Sequence, residues 1–262
     1  MGMKMRNAPL YFTVGQVQFN PILNLNTYLP AIQVKMREMH FPDFQQEAVQ
    51  ELILPFSTSS GSQAAPSFAH RLRYKFGDID GWESFFIDQN QLLFQTTRYQ
   101  TFEAFLSNMM KVLSILHDVI HLDFIERLGL RYLDAVQPSA GESLSQYLIP
   151  EVLGLYKKLG GDLSHSISET MTITPAGQLM ARIVIQNGKI GMPADLAGIS
   201  NKFSEKITAY DGLHAIIDND ASYIQRMPFE LNSIETKLTT LHDAIKAAFE
   251  MSVTDHAMAS WA

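Results

Sequence analysis

Residues 128–136, Leu128-Gly129-Leu130-Arg131-Tyr132-Leu133-Asp134-Ala135-Val136, decide the fold, because from this stretch the order of elements begins again. Leu128, Leu130 and Tyr132 alternate with small or charged residues, the period of a strand with one buried face. Upstream, Val17-Gln18-Phe19 reads the same way, and Asn20-Pro21 ends the run. A helix is expected behind each strand, opened by Leu25-Asn26-Thr27-Tyr28-Leu29 and by Leu144-Ser145-Gln146-Tyr147-Leu148, both L-x-x-Y-L. Two long amphipathic helices close the stretches and share Leu116-His117-Asp118 and Leu241-His242-Asp243. Between them, the turn Ile87-Asp88-Gln89-Asn90 aligns with Ile217-Asp218-Asn219-Asp220, and Phe94-Gln95 with Ile224-Gln225. Each match is short. Their collinear order points to an internal duplication.

The fold expected from this pattern is α+β, with two homologous halves, residues 1–122 and 123–262, in one compact unit. Each half runs strand, helix, antiparallel strands, long helix, giving an antiparallel sheet with helices packed on one face and a pseudo-two-fold axis. In the first half the pattern predicts strands over 14–19, 70–77, 82–88 and 92–99, with helices over 25–39 and from 102. The small polar run over 57–67 reads as a flexible loop. The second half predicts a strand over 128–136, a helix over 143–159 and strands over 165–174 and 178–186. An excursion over 187–210 follows, then a hairpin over 213–227 and a final helix over 229–251. This order is similar to that of the duplicated TATA-binding-protein saddle, an analogy of architecture alone.

The 262 residues are 46% hydrophobic and 18% charged, ordinary for a globular chain. Cysteine is absent, which removes disulfides, thiolate metal ligands and Cys nucleophiles. The net charge of −7 and the scattered cations argue against nucleic-acid binding, which calls for a basic face. The densest basic group, Arg71, Arg73 and Lys75, alternates with Leu72, Tyr74 and Phe76 as on a strand. The apolar part of the N-terminus, residues 10–14, is too short for a signal-peptide core, and no run approaches the roughly 20 apolar residues of a membrane span. A cytoplasmic location without membrane partners is the expectation.

Chemical motifs are sparse. His117 and His121 stand at metal-ligand spacing on a helix, but the repeat places Lys246 where His121 stands, so helix packing is the simpler reading. Ser59-Ser60-Gly61-Ser62 lacks a phosphate-loop lysine, and Gly188, Gly191 and Gly198 match no dinucleotide fingerprint. The pairs Asp78/Asp80 and Asp218/Asp220 read as turn residues. Met36, Met39, Met109 and Met110, at helical spacing, read as core. No catalytic, cofactor-binding or metal-ligating residue is assigned, and no cofactor is expected.

Asn7-Ala8-Pro9 leads into the first strand, Gly129-Leu130-Arg131-Tyr132 fills the mid-chain one, and Leu241-His242-Asp243, Phe249, Val253-Thr254-Asp255 and Trp261 mark the end. In these motifs the chain resembles a sporadically distributed, uncharacterised bacterial family of about this length. The resemblance implies a bacterial or phage-like origin and one duplicated α+β architecture. It brings no activity or site residues. The functional expectation is a non-catalytic module that binds a protein or peptide across the sheet or at its edge, where homodimerisation is also open. The alternative is an enzyme or small-molecule binder with a cleft between the halves and the 187–210 excursion as its lid.

Overall fold

A computed structural model describes residues 7–53, 67–156, 158–196 and 201–262, with the side chains of 49–71 left aside. The first half contributes strand β1 (Leu10–Phe19), helix α1 (Leu29–Glu38), strands β2 (Asp43–Ile53), β3 (Ser67–Gly77), β4 (Glu83–Asp88) and β5 (Gln91–Thr96), and helix α2 (Phe102–Ile120). The second contributes β6 (Phe124–Val136), the one-turn helices α3 (Leu144–Tyr147) and α4 (Pro150–Leu153), and strands β7 (His165–Thr174) and β8 (Gly177–Gln186). Helix α5 (Glu205–Thr208), strands β9 (His214–Tyr223) and β10 (Met227–Pro228), and helices α6 (Leu231–Ser252) and α7 (Asp255–Trp261) complete it. The protein is therefore α+β, as its alternating periods imply. No helix among the described residues is long and apolar enough to cross a membrane.

The ten strands of the described residues form one antiparallel sheet in the order β2-β3-β4-β5-β1-β6-β9-β8-β7, with β10 against the start of β6. Its centre is the β1–β6 pair, where Gln16 faces Gly129. Alternation divides the sheet into two faces. Val17, Phe19, Phe76, Phe85, Phe94, Leu128 and Leu130 point to one side and form the main core with Leu106, Met109, Val112 and Leu116 of α2 and Leu238 and Leu241 of α6. A smaller core joins Ile183, Ile185 and Ile217 to Tyr147 of α3 and Trp261 of α7. Gly15 lets α2 close on the sheet, since a Cβ there would stand 2.9 Å from the Met109 Sδ and 3.1 Å from the Phe105 ring. Thr101 caps α2, accepting from the Ala104 amide at 3.2 Å. The two long helices pack antiparallel. The Phe102 ring at the start of α2 stacks on His242 at 3.9 Å, and His117 near its end stacks on Phe229, ahead of α6, at 4.6 Å.

Several expectations are corrected. Strand β2 was not expected: Gln45, Gln46, Glu47, Gln50 and Glu51 have weak strand preference, and the segment is held by an eleven-residue register with β3. The helix expected over 143–159 is two single turns, because Pro150 opens a new turn and Gly154 leaves helical geometry (φ 59°, ψ −136°); residue 157 lies outside the described residues. The hairpin expected over 213–227 is the single strand β9, followed by β10, which pairs not with β9 but with the start of the same neighbour, β6. Asp218-Asn219-Asp220 thus lies inside a strand rather than in a turn, and the alignment of 87–90 with 217–220 fails. In sheet order, β9 stands beside β6 as β5 stands beside β1. Asp78 and Asp80 do lie in the β3–β4 turn. Most of the loop expected over 57–67 lies outside the described residues.

Candidate functional site

The long helices leave the other face of the sheet open. On it stand Gln16 and Val14 of β1, Leu93 and Gln95 of β5, Phe86 of β4, Arg73 of β3, Arg127, Gly129 and Arg131 of β6, and Asp218 and Asp220 of β9. The excursion between β8 and β9 covers one end of this face. Its Ile190, Met192, Leu196, Phe203 and Ile207 pack on Tyr11, Phe12, Leu133, Ala135 and Ile216, a third apolar cluster that burial drives together. Helix α5 therefore lies on the face opposite the long helices. The tip of the excursion reaches the first half. Asn201, buried there, accepts from Ser84 Oγ at 2.6 Å and from Gln95 Nε2 at 3.0 Å, and its amide donates to the Trp82 carbonyl at 3.2 Å. The Lys202 backbone N–H donates to the Gly81 carbonyl at 2.7 Å, and its ammonium lies 4.8 Å from the Trp82 ring centre. The excursion is a strap fastened across the join between the halves.

Beside the strap a cavity of about 380 Å³ opens over the β1–β6 seam, lined by Gln16, Leu93, Gln95, Arg127, Arg131, Asp195 and their neighbours. Its size falls within the usual range of ligand pockets. Gly129 forms the floor, and Arg127 lies over it: a Cβ at Gly129 would stand 2.9 Å from the Arg127 Nη1. Among the described residues no carboxylate comes within ion-pair distance of Arg127. At the first-half margin Arg73 pairs with Glu47 at 2.7 Å and lies 4.4 Å from the Phe86 ring centre. Gln16 donates to the Gln91 side-chain carbonyl at 2.6 Å.

The second half of the open face carries an ionic ladder. Glu169 accepts from Arg182 at 2.6 Å, Arg182 approaches Asp218 at 3.5 Å, and Arg131 binds Asp218 through Nε at 2.7 Å and Nη2 at 2.8 Å. Arg131 also donates to Asp195 on the strap. Burial works against the Arg131 charge, but the bonds to Asp218 and Asp195 outweigh it and hold its pKa above the usual value. Asp195 is lowered mainly by its bond from Arg131. Asp220, deep in the cavity wall, is raised by burial against the pull of Arg131 and Arg127.

A second polar group lies under α6. Tyr132 OH hydrogen-bonds His242 Nδ1 at 2.9 Å and Tyr99 OH at 3.2 Å. In the same cross-strand row, Thr13 and Asn219 flank Tyr132, and the Asn219 amide finds no hydrogen-bond partner among the described residues. Asp134, one pleat along β6, is pushed up to about 8 by burial.

The motifs singled out in the sequence play other parts. His117 is spent on Phe229, and the His121 ring stands 6.1 Å from it with its backbone in the left-handed region that ends α2. Among the described residues no three His, Asp or Glu are grouped to hold a metal. Met36 and Met109 are fully buried core. Gly188 and Gly191 belong to the strap, while Gly198 and residues 59–62 lie outside the described residues. Of the lining residues, Arg73, Gly129-Leu130-Arg131, Gln95 and Asp220 figure in sequence patterns, none of them as a site, and Gln16 reads only as a strand position. Arg127 and Asp195 carry no local signal. No family profile matches the chain, and neither a curated protein nor a solved structure matches it.

Proposed function

We propose that the chain is an interaction module that binds a protein or peptide on the open face of its sheet, over the β1–β6 seam. The observation that carries this reading is the open face itself. Among the described residues the long helices cover only the opposite side, the strap with its helix α5 covers one end of this face, and the seam offers apolar Val14, Leu93 and Leu196 beside the hydrogen-bonding Gln16 and Arg127. An extended segment laid there would meet side-chain donors and acceptors and the Arg127 guanidinium, which no carboxylate among the described residues pairs at ion-pair distance. A photocrosslinking residue at Leu93 is expected to capture a partner that the same residue at Lys111, exposed on α2, does not. Equal capture from both positions would remove the open face as the contact surface.

A small molecule in the cleft is the second reading, favoured by the 380 Å³ cavity with strap residues Asp195 and Leu196 in its wall. Deleting the strap is a poor test of it, since that would uncover Tyr11, Phe12, Leu133 and Ile216. A bacterial origin, through the family resemblance, and a cytoplasmic site of action belong to the same proposal.

We also propose that the halves arose by duplication. Support comes from the exchange between the long helices, where the Phe102–His242 and Phe229–His117 stacks answer each other across an antiparallel pair. In each half the first strand is central and the last long strand returns beside it. By strand order the strap stands where the first half has the short β4–β5 turn, so the second half is elaborated at the position that overlooks the cleft.

A further inference from the structure

We infer that the outer edge of β7 is a dimerisation edge, pairing antiparallel with β7 of a second copy of this chain. The inference rests on that edge alone and is independent of the open-face reading. β7 ends the sheet, and its ten residues pair with β8 in an unbroken register. An exposed edge of that length offers unpaired N–H and C=O groups to any extended chain, and proteins that stay monomeric guard such edges with Lys, Pro, bulges or a covering loop. Within 165–174 there is no Lys, no Pro and no bulge, and the one acidic charge, Glu169, is held by Arg182 at 2.6 Å.

The edge is apolar on the open face, carries Ser and Thr on the helix side, and has apolar neighbours beside its start. On the open face Ile167, Met171 and Ile173 are 57%, 58% and 86% exposed. On the helix side, next to the start of β7, Leu155 and Leu159 are 60% and 70% exposed. The sequence of β7 suits its own copy. In an antiparallel register centred on Thr170, Ile167 faces Ile173 of the partner subunit, Glu169 faces Met171 of the partner subunit, and the Ser and Thr positions face one another. A register centred on Glu169 would instead set that carboxylate against its own copy. The opposite sheet edge is more polar: β2 carries Asp43, Gln45, Gln46 and Glu47 within its first five residues.

The test uses the absence of cysteine from the chain. Residues directly opposite in an antiparallel pair lie within disulfide reach, whereas residues displaced along the strand do not. Sedimentation of the full chain at micromolar concentration is expected to give twice the monomer mass. Under mild oxidation Thr170→Cys is expected to form a covalent dimer at least tenfold faster than Ser166→Cys. The double variant Ile167→Lys/Ile173→Lys, at two exposed positions, is expected to sediment as a monomer with an unchanged circular dichroism spectrum. A monomeric wild type would overturn the inference. So would equal crosslinking from the two cysteine positions, or a dimer that survives the paired lysines.

Discussion

Arg131→Met is expected to lower the unfolding free energy by about 3–5 kcal/mol, the usual cost of removing one partner from a buried ion pair. The Asp218 side chain is 1% exposed and takes both oxygens' strongest bonds from Arg131, with Arg182 more distant at 3.5 Å. Without Arg131 its charge stays buried with one weak partner. The same substitution frees Asp195, so the strap loses an anchor. Adding Asp218→Asn should recover more than half of the loss, because the stranded charge is the larger cost. Urea unfolding of the two variants measures both quantities. A loss below about 1 kcal/mol for Arg131→Met, the range of exposed surface pairs, would show that the ladder is decoration on a sheet held by its apolar side.

Asp134→Asn is expected to act in the opposite direction and to depend on pH. The folded protein holds the Asp134 proton up to about 8, because burial disfavours the carboxylate, whereas the unfolded chain releases it near the ordinary value of 3.8. Between these values the folded state binds the extra proton, so this group makes stability fall as pH rises, by about 1.4 kcal/mol per unit. Below the window both states are protonated, and the contribution is fully favourable. Above it both are ionised, and the penalty levels off. The asparagine variant lacks this titration. Its stability advantage over wild type should grow from pH 4 to pH 8 and then stay constant. Thermal melts of both proteins across that range provide the check, and parallel curves would contradict the assignment.

The parts of the fold legible in sequence are those whose local pattern agrees with their surroundings. β1, α2, the β4–β5 and β7–β8 hairpins and the long α6 each show a clean period, bounded by residues such as Thr101 and Asn20-Pro21. β9 was misread because Asp218-Asn219-Asp220 favours a turn when only neighbours are weighed. Arg131, 87 residues away, and Arg182 hold Asp218 on the sheet instead. β2 was missed for a related reason, since its glutamines and glutamates take strand geometry from the register with β3. The strap was legible as an excursion, but its destination was not. The contacts from Asn201 to Ser84 and Gln95 span more than a hundred residues and leave no periodic trace. The same holds for the cleft, whose lining comes from six strands and the strap.

Gly129 gives the most direct test of the central claim that the open face over the β1–β6 seam receives the partner. It floors the cavity, and a side chain there would meet the mobile end of Arg127 rather than backbone, so Gly129→Phe can fill the site while the sheet stays intact. The measurement is quantitative affinity capture from the source cells with tagged wild type and tagged Gly129→Phe, after matched melting temperatures have been confirmed. The account predicts a stoichiometric partner on the wild type and at least a tenfold loss of it on the variant. The same partner retained in the same amount on both proteins would contradict it.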